Sequence, residues 1–174
     1  SPGVFAMKVF NDGSGEKLYA AGRVGSIGGV NGMIARWNGT AWQPVGAGIT
    51  AAQTFSDIEA MAIHNDGTGE KIYVGGYDLR VGAVTTSVAR WSGTAWTPVG
   101  QYLGGRTTAL ASFDDGNGAQ LYNAGTAQPG INYIARLNGN QWTIVDGGVG
   151  QPGGPPWPST FGLCNWQGKL YIGG

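Results

Sequence analysis

Apolar and polar residues alternate over short stretches of this 174-residue chain, and glycine-rich turns interrupt the alternation. The clearest pattern is an apolar run, then Asp-Gly-x-Gly, then a second run ending in Tyr-x-Ala/Gly-Gly. It occurs at 6–22, 60–76 and 109–125, and in shortened form at 162–174. Two apolar runs on either side of a tight turn are typical of antiparallel strands. The pattern therefore predicts a hairpin, strands A and B, at each of these places.

A second hairpin follows each of the first three. The phrases "ARWNGTAW" at 35–42, "ARWSGTAW" at 89–96 and "ARLNGNQW" at 135–142 place β-branched and aromatic residues on both sides of an Asn/Ser-Gly turn. We name these strands C and D. Pro44 and Pro98 lie near the ends of two D strands. Because proline donates no hydrogen bond to a neighbouring strand, strand D is predicted to be outermost.

Four strands recurring about every 50 residues, without helical periodicity, are the pattern of propeller blades. The Tyr-x-Gly-Gly end of strand B and the aromatics of strands C and D resemble Kelch-type repeats. The chain is still more similar to the "ARWxGTxWxxVG" repeats of secreted or surface-attached bacterial propellers. The spacing from Trp37 to Trp42 is shorter than in standard Kelch repeats. The resemblance implies an all-β β-propeller of four-stranded antiparallel blades in one domain, 1–174, with blades at about 4–46, 58–100 and 107–146 and a half blade at 160–174.

Three and a half units do not close a propeller, which typically has about 4 to 8 blades. We therefore expect this sequence to be part of a larger ring. The alternative is that two copies of the chain associate to complete one ring, so self-association is retained as a hypothesis.

Composition narrows the class of partner. The 34 glycines have no three-residue period and alternate with large apolar residues, which argues against collagen and against disorder. Ten basic and ten acidic residues cancel, so a nucleic-acid partner is not expected. No stretch approaches the ~20 apolar residues of a membrane span. Cys164 is the only cysteine, which excludes an internal disulfide and a multi-thiolate metal site. No cofactor and no metal are predicted, and the expected location is extracellular or at the cell surface.

Recurrence separates scaffold from candidate site. A residue that recurs in every unit serves the unit, whereas a residue that does not recur is free to serve a ligand. The recurring arginines are expected to lie over an aromatic face or to pair with a neighbouring acid. The recurring tryptophans are expected to fill the space between packed sheets, with sugar stacking as an alternative. These residues are Arg36, Arg90, Arg136, Trp37, Trp42, Trp91, Trp96 and Trp142.

The acids of the Asp-Gly-x-Gly phrases superficially resemble a calcium loop. Asp12, Asp66 and Asp115 lack the bidentate acid that would complete such a loop, so a hairpin-turn role is favoured. His64, the only histidine, stands where other units have phenylalanine and is predicted to fill an aromatic position. No arrangement of nucleophile, base and orienting acid is evident.

The connections between strands B and C and between strand D and the next strand A vary among units and are predicted to share one face. Variable loops on a rigid scaffold commonly bind ligands. Trp157 lies in a proline-stiffened loop, and packing onto the blade beneath it is the alternative. The predicted binding residues are the aromatic and charged side chains of these connections, Tyr77, Asp78, Arg80, Tyr102, Arg106, Tyr133 and Trp157.

The first functional hypothesis is a non-enzymatic binding scaffold, secreted or displayed on a surface, that presents this face to a protein or a glycan. The second is a fragment of a carbohydrate-active enzyme with central carboxylates. The acids open to that role are the irregular ones, Asp57, Glu59, Asp78 and Asp146. The third is a purely structural subunit of a surface assembly.

Overall fold

The computed structural model describes residues 2–127, 131–145 and 162–174, and over these residues it contains seventeen strands and no helix. The predicted all-β class is therefore confirmed. No helix in the described part of the chain is long and apolar enough to cross a membrane. Trp157 and Asp146 lie outside the described residues.

Unit 1 forms a four-stranded antiparallel sheet in the order β1-β2-β5-β6. A small separate hairpin, β3-β4, lies in its B–C connection. The strands of the unit are β1 (Gly3–Asn11), β2 (Glu16–Arg23), β3 (Ser26–Ile27), β4 (Val30–Asn31), β5 (Ile34–Trp37) and β6 (Trp42–Pro44).

Units 2 and 3 repeat this order. Their strands are β8 (Asp57–Asn65), β9 (Glu70–Val81), β10 (Val84–Trp91), β11 (Trp96–Pro98), β12 (Arg106–Asp114), β13 (Ala119–Ala127), β14 (Ile131–Asn138) and β15 (Gln141–Ile144). One pairing, Arg106 with Tyr77, joins the eight strands of the two units into one sheet, which a ninth, short strand completes. This sheet curls into a half-barrel. The short strand β7 (Thr50–Ala51) is added alongside β9. The last hairpin, unit 4, comprises β16 (Gly162–Trp166) and β17 (Lys169–Gly173).

Strand D lies at the end of the strand order in all three complete units, as β6, β11 and β15. Pro44 and Pro98 end two of these strands. The prediction that D is the outer strand, made from the position of these prolines, is confirmed. The arrangement of the units around a common axis remains a prediction.

In units 1, 2 and 3 the last glycine of the Tyr-x-Ala/Gly-Gly phrase is required by close backbone approach. Strand A carries a bulge two residues after its start in units 1, 2 and 3. At this point a Cβ on Gly76 would lie 1.9 Å from the carbonyl oxygen of Asp57. Gly22 and Gly125 face equivalent clashes with Gly3 and Arg106. The recurring glycine thus lets strands A and B approach at the bulge.

The Asp-Gly-x-Gly turn is built around a carboxylate that the unit itself neutralises. Asp12 accepts hydrogen bonds from Lys17 Nζ (3.1 Å), Tyr19 Oη (3.0 Å) and Arg36. Burial opposes ionisation of Asp12, but hydrogen bonds from Ser14, Lys17 and Tyr19 outweigh it and hold its pKa below the ordinary range. The predicted turn role of this aspartate is confirmed. Of the two roles expected for the recurring arginines, the structure shows pairing with an acid. The equivalent contacts are Asp66 with Lys71, Tyr73 and Arg90, and Asp115 with Tyr122 and Arg136.

Strand A of each unit packs on strand A of the unit before it, and the aromatic pair of the earlier unit lies in the shared core. His64 contacts the ring of Tyr73 edge-on, with centroids 5.7 Å apart. Phe10 with Tyr19 and Phe113 with Tyr122 have the same geometry at 5.9 and 5.8 Å. The predicted aromatic role of His64 is confirmed. Its Nδ1 also lies 2.9 Å from Ser112 Oγ of unit 3.

Tryptophans of strand D connect each unit to the one before it. Trp96 Nε1 donates to the carbonyl of Val45 (2.9 Å), and Trp142 Nε1 donates to the carbonyl of Val99 (3.1 Å). Both carbonyls belong to the valine of the Pro-Val-Gly phrase that ends strand D in the preceding unit. These tryptophans are buried, which supports the structural interpretation of the recurring indoles.

Candidate functional site

The B–C connection of unit 2 is ordered as strand rather than as an irregular loop. Strand β9 is twelve residues long, whereas β2 has eight, because β9 continues beyond Gly76 and pairs again with the start of β10. A tight turn at Gly82 joins them, and β7 pairs with the other edge of the extension at Arg80 and Leu79. The sequence interpretation of 77–86 as a loop was wrong. Because the extension of β9 is paired on both edges, the backbone that carries the side chains of this face is held in a regular sheet.

A cavity of about 450 Å³ opens beside this extension. Four of the seven predicted binding residues line it, although they come from two separate connections of the chain. The full lining is Ala52, Gln53, Tyr77, Asp78, Arg80, Thr85, Tyr102 and Gly104. The prediction that the B–C and D–A connections share a face agrees with this lining.

Asp78 is held in place through both its backbone and its side chain. Its φ is 47°, in the left-handed region that aspartate tolerates better than most residues. Its carbonyl accepts hydrogen bonds from Ala52 N (3.0 Å) and Ser56 Oγ (2.8 Å), which tie the D–A connection to strand β9. Its carboxylate is buried and accepts a hydrogen bond from the Tyr102 hydroxyl. Burial, together with this carboxylate, raises the pKa of Tyr102, so the phenol stays protonated as a donor.

Arg80 supplies the cationic group of the cavity. Its side chain is exposed, and it makes no ion pair with any residue that the structure describes. In the strand register it lies opposite Thr85 on one side and Thr50 on the other. Thr85 also lines the cavity. The guanidinium of Arg80 lines a cavity that hydroxyl and carboxylate side chains also line, and it is available to donate to a ligand.

Tyr77 lines the cavity, and its ring is also contacted by a cation. The guanidinium of Arg106 lies 5.1 Å from the centroid of its ring. Arg106 does not line the cavity, and it is in strand β12 rather than in a loop. It binds Asp57 Oδ2 (3.2 Å) and Glu59, both on strand β8. Arg106 therefore orients Tyr77 and links units 2 and 3.

This ion cluster also reaches unit 1. Arg23 Nε donates to Asp57 Oδ2 at 3.0 Å, so one carboxylate joins arginines from units 1 and 3. The side chain of Asp57 is fully buried, with 0% exposure. Burial raises the pKa of Glu59, and the charge of Arg106 partly offsets this. The cluster connects three repeats at the end of the molecule where the cavity lies.

Of the remaining predicted residues, Arg106 is absent from the cavity lining, and Tyr133 and Trp157 lie partly or wholly outside the described residues. The backbone of Tyr133 lies in strand β14 opposite Gly125, and its side chain is outside the described residues, as is the whole of Trp157. Sequence reasoning missed Gln53 and Thr85. Both lie in connections that the variation between units had marked, but only aromatic and charged residues were selected from them.

A second cavity of about 490 Å³ lies in the neighbouring position between units 1 and 2. Arg23, Met33 and Phe55 are among its lining residues. The segment 51–56 contributes to both cavities, so it separates them. Within the described ranges, no group of three or more histidine, cysteine or acidic side chains is placed to hold a metal ion.

In the comparisons with known proteins, no family model, curated protein or solved structure matches the chain. What points to a function is the geometry of the cavity, together with the differences between the repeats. The likeness to Kelch-type repeats stays a prediction from the sequence.

Proposed function

We propose that this chain is part of a non-enzymatic binding scaffold of propeller type, extracellular or at the cell surface, and that the cavity beside strand β9 binds a glycan. The observation that carries the proposal is the convergence of Tyr77, Asp78, Arg80 and Tyr102, which do not recur between units, on one open cavity. Residues that do not recur between units, gathered where a rigid sheet ends, are typical of a binding site.

The chemistry of the lining suits a polyhydroxylated ligand. Two tyrosine rings provide apolar faces for the C–H surfaces of a sugar. Tyr102 occupies one oxygen of the Asp78 carboxylate, and the carboxylate has further lone pairs that accept from sugar hydroxyls. Arg80 and Gln53 supply further donors in the lining. A protein loop is the other partner class compatible with an open site, but a buried carboxylate next to donors favours hydroxyl recognition.

A catalytic role for the acids is less well supported. Asp57 and Glu59 come from the same strand, and both carboxylates contact Arg106. The fully buried Asp57 is an ion-pair partner of two arginines and has no exposed surface for a substrate. A glycosidase pair requires two carboxyl groups about 5 to 9 Å apart around a bound sugar. The arrangement of these acids instead serves the connection between units.

The test is binding of the chain to immobilised neutral and acidic oligosaccharides, followed by titration calorimetry of any sugar that binds. Asp78→Asn is the most informative variant, because asparagine keeps the left-handed backbone and the shape while removing the charge. We expect it to weaken binding by about tenfold or more, since hydrogen bonds to charged groups contribute about 1.5–3 kcal/mol. Arg80→Gln should weaken binding in the same direction.

Glu70→Gln is the matched control, because Glu70 is an exposed acid at the opposite end of strand β9. It removes the same charge without touching the cavity, so binding should be unchanged. Absence of binding to every oligosaccharide, or equal binding by wild type and Asp78→Asn, contradicts the glycan assignment. Binding that Glu70→Gln weakens as strongly as Asp78→Asn would indicate a general charge effect.

A further inference from the structure

Arginine side chains in this protein serve mainly as partners for acids. Five of the six arginines form an ion pair with an aspartate or a glutamate, namely Arg23, Arg36, Arg90, Arg106 and Arg136. The sixth is Arg80, whose side chain is exposed and which pairs with no acid among the described residues. Its positive charge is therefore not balanced by a partner in the part of the chain that the structure describes.

The backbone that carries Arg80 is held in place, although the side chain is open. Arg80 lies in the part of β9 that extends beyond Gly76, opposite Thr85 of β10 and Thr50 of β7. The corresponding position of unit 1 is Ser26, so the arginine does not belong to the pattern that the units share. The guanidinium is therefore carried by a backbone that is paired on both edges, at a position that only this cavity uses.

Asp78 lies two positions before Arg80 and also lines the cavity, yet the two side chains make no ion pair. In a regular strand, residues two positions apart lie on the same face of the sheet. The φ of 47° at Asp78 departs from the extended conformation, and its carboxylate accepts a hydrogen bond from the Tyr102 hydroxyl instead. The cavity therefore presents a carboxylate and a guanidinium as separate groups that are not paired with each other.

A separate carboxylate and guanidinium suit a sugar that carries a carboxylate of its own. A planar guanidinium donates two parallel hydrogen bonds to a carboxylate, and such charge-assisted bonds are roughly twice as strong as neutral ones. A uronic acid has its carboxylate on one carbon of the ring and hydroxyl groups on others. One sugar thus offers both an acceptor for Arg80 and donors for Asp78. A neutral sugar would leave the positive charge of Arg80 without a counter-charge.

We infer that the glycan bound in this cavity is acidic, and that Arg80 pairs with the carboxylate of a uronic acid residue while Asp78 accepts from its hydroxyl groups. The inference rests on the proposed glycan-binding function and adds the chemical class of the ligand. The cavity volume of about 450 Å³ is within the range of ligand sites, about 300–1,000 Å³. Arg80 is then the residue that sets the specificity for acidic over neutral sugars.

The test compares each acidic oligosaccharide with its own methyl ester, because esterification removes the charge and leaves the sugar rings and linkages unchanged. Oligomers of galacturonic, glucuronic and mannuronic acid give three such pairs, and titration calorimetry measures their affinities for the whole chain. For at least one pair, the acid should bind about tenfold or more tightly than the ester. The preference should shrink as sodium chloride is raised from about 0.05 to about 0.5 M, because salt screens exposed charges.

Variants at Arg80 show whether its guanidinium causes the preference. Arg80→Gln removes the charge and should leave acid and ester with equal affinities. Arg80→Lys keeps the charge without the paired donors and should retain only part of the preference. Lys8→Gln is the matched control, since Lys8 is an exposed cation on strand β1 that does not line the cavity, and it should leave the preference unchanged. Thermal unfolding checks that each variant is folded.

Failure of the inference is distinguishable from failure of the proposed function. If the esters and neutral oligosaccharides bind as tightly as the acids, the site binds glycans but the acidic class is wrong. A preference for acids that persists in Arg80→Gln, or that Lys8→Gln also abolishes, overturns the role of Arg80. Tighter binding of a sulfated oligosaccharide than of every uronate overturns the carboxylate. If no saccharide binds, the glycan-binding function itself is contradicted, and the inference with it.

Discussion

The two ends of strand B differ in whether their contacts recur between units. At the turn end, units 1, 2 and 3 make the same contacts, with one aspartate binding the tyrosine and the arginine of its own unit. At the other end, strand B of unit 1 places Arg23 in an ion pair, whereas strand B of unit 2 continues into Tyr77, Asp78 and Arg80. The contacts that recur between units are therefore those that stabilise each unit, whereas the residues that line the open cavity differ between units.

The largest effect is expected at the recurring glycine of the bulge. Gly76→Ala places a Cβ 1.9 Å from the carbonyl oxygen of Asp57, and backbone atoms cannot move aside as a side chain would. We expect the free energy of unfolding to fall by about 3 kcal/mol. Denaturant unfolding measures the change. Gly25→Ala is the control, since a methyl group at Gly25 would have nothing within 4 Å, and its effect should stay within about 0.5 kcal/mol.

The next effect tests the turn end. Asp12→Ala leaves Arg36, Lys17 and the Tyr19 hydroxyl without their shared acceptor. The Asp12 side chain is only 4% exposed, so we expect a loss of about 2 kcal/mol in unfolding free energy. Asp115→Ala removes the equivalent group where the carboxylate is 26% exposed, and its loss should be smaller. The unfolding free energies of both variants are measured by thermal and denaturant unfolding. If Asp12→Ala and Asp115→Ala lose the same amount, burial does not set the strength of this contact.

A smaller effect is expected at the cavity end. Tyr102→Phe removes the hydroxyl that donates to Asp78, and Tyr102 is 41% exposed. The unfolding free energy should fall by about 1 kcal/mol, while glycan binding should weaken as the carboxylate loses its orientation. Unfolding and binding are measured on the same preparation. If Tyr102→Phe loses as much unfolding free energy as Asp12→Ala, the cavity end of strand B contributes as much to stability as the turn end, which would contradict the comparison.

The smallest effect concerns pH. Burial lowers the pKa of His64, so below about pH 6.5 the unfolded chain binds a proton that the folded chain does not. Wild-type stability should therefore fall as pH drops from about 6.5 toward the lower folded pKa, and it should gain nothing from this group above that range. His64→Phe, the residue type of units 1 and 3, should lose less stability as the solution is acidified through this range. Identical slopes in thermal unfolding would contradict this, because His64 is the only histidine.

The hairpins, the outer position of strand D, the turn role of Asp12 and the aromatic position of His64 could be predicted from the sequence, whereas for Arg36 it left stacking on an aromatic ring and pairing with an acid both open. These features depend on alternation, turn residues and partners within one unit or at recurring positions, and recurrence made them recognisable. It also selected Tyr77, Asp78, Arg80 and Tyr102, because they break the recurrence.

How those residues meet depends on long-range packing. Asp78 and Tyr102 are 24 positions apart, and Arg106 reaches an acid 49 positions away. Such contacts depend on how whole sheets pack and on the bulges that aim each strand end, which no local pattern encodes. The same packing turned the expected loop of unit 2 into strand, because β7 and β10 satisfy the backbone of β9 on both edges.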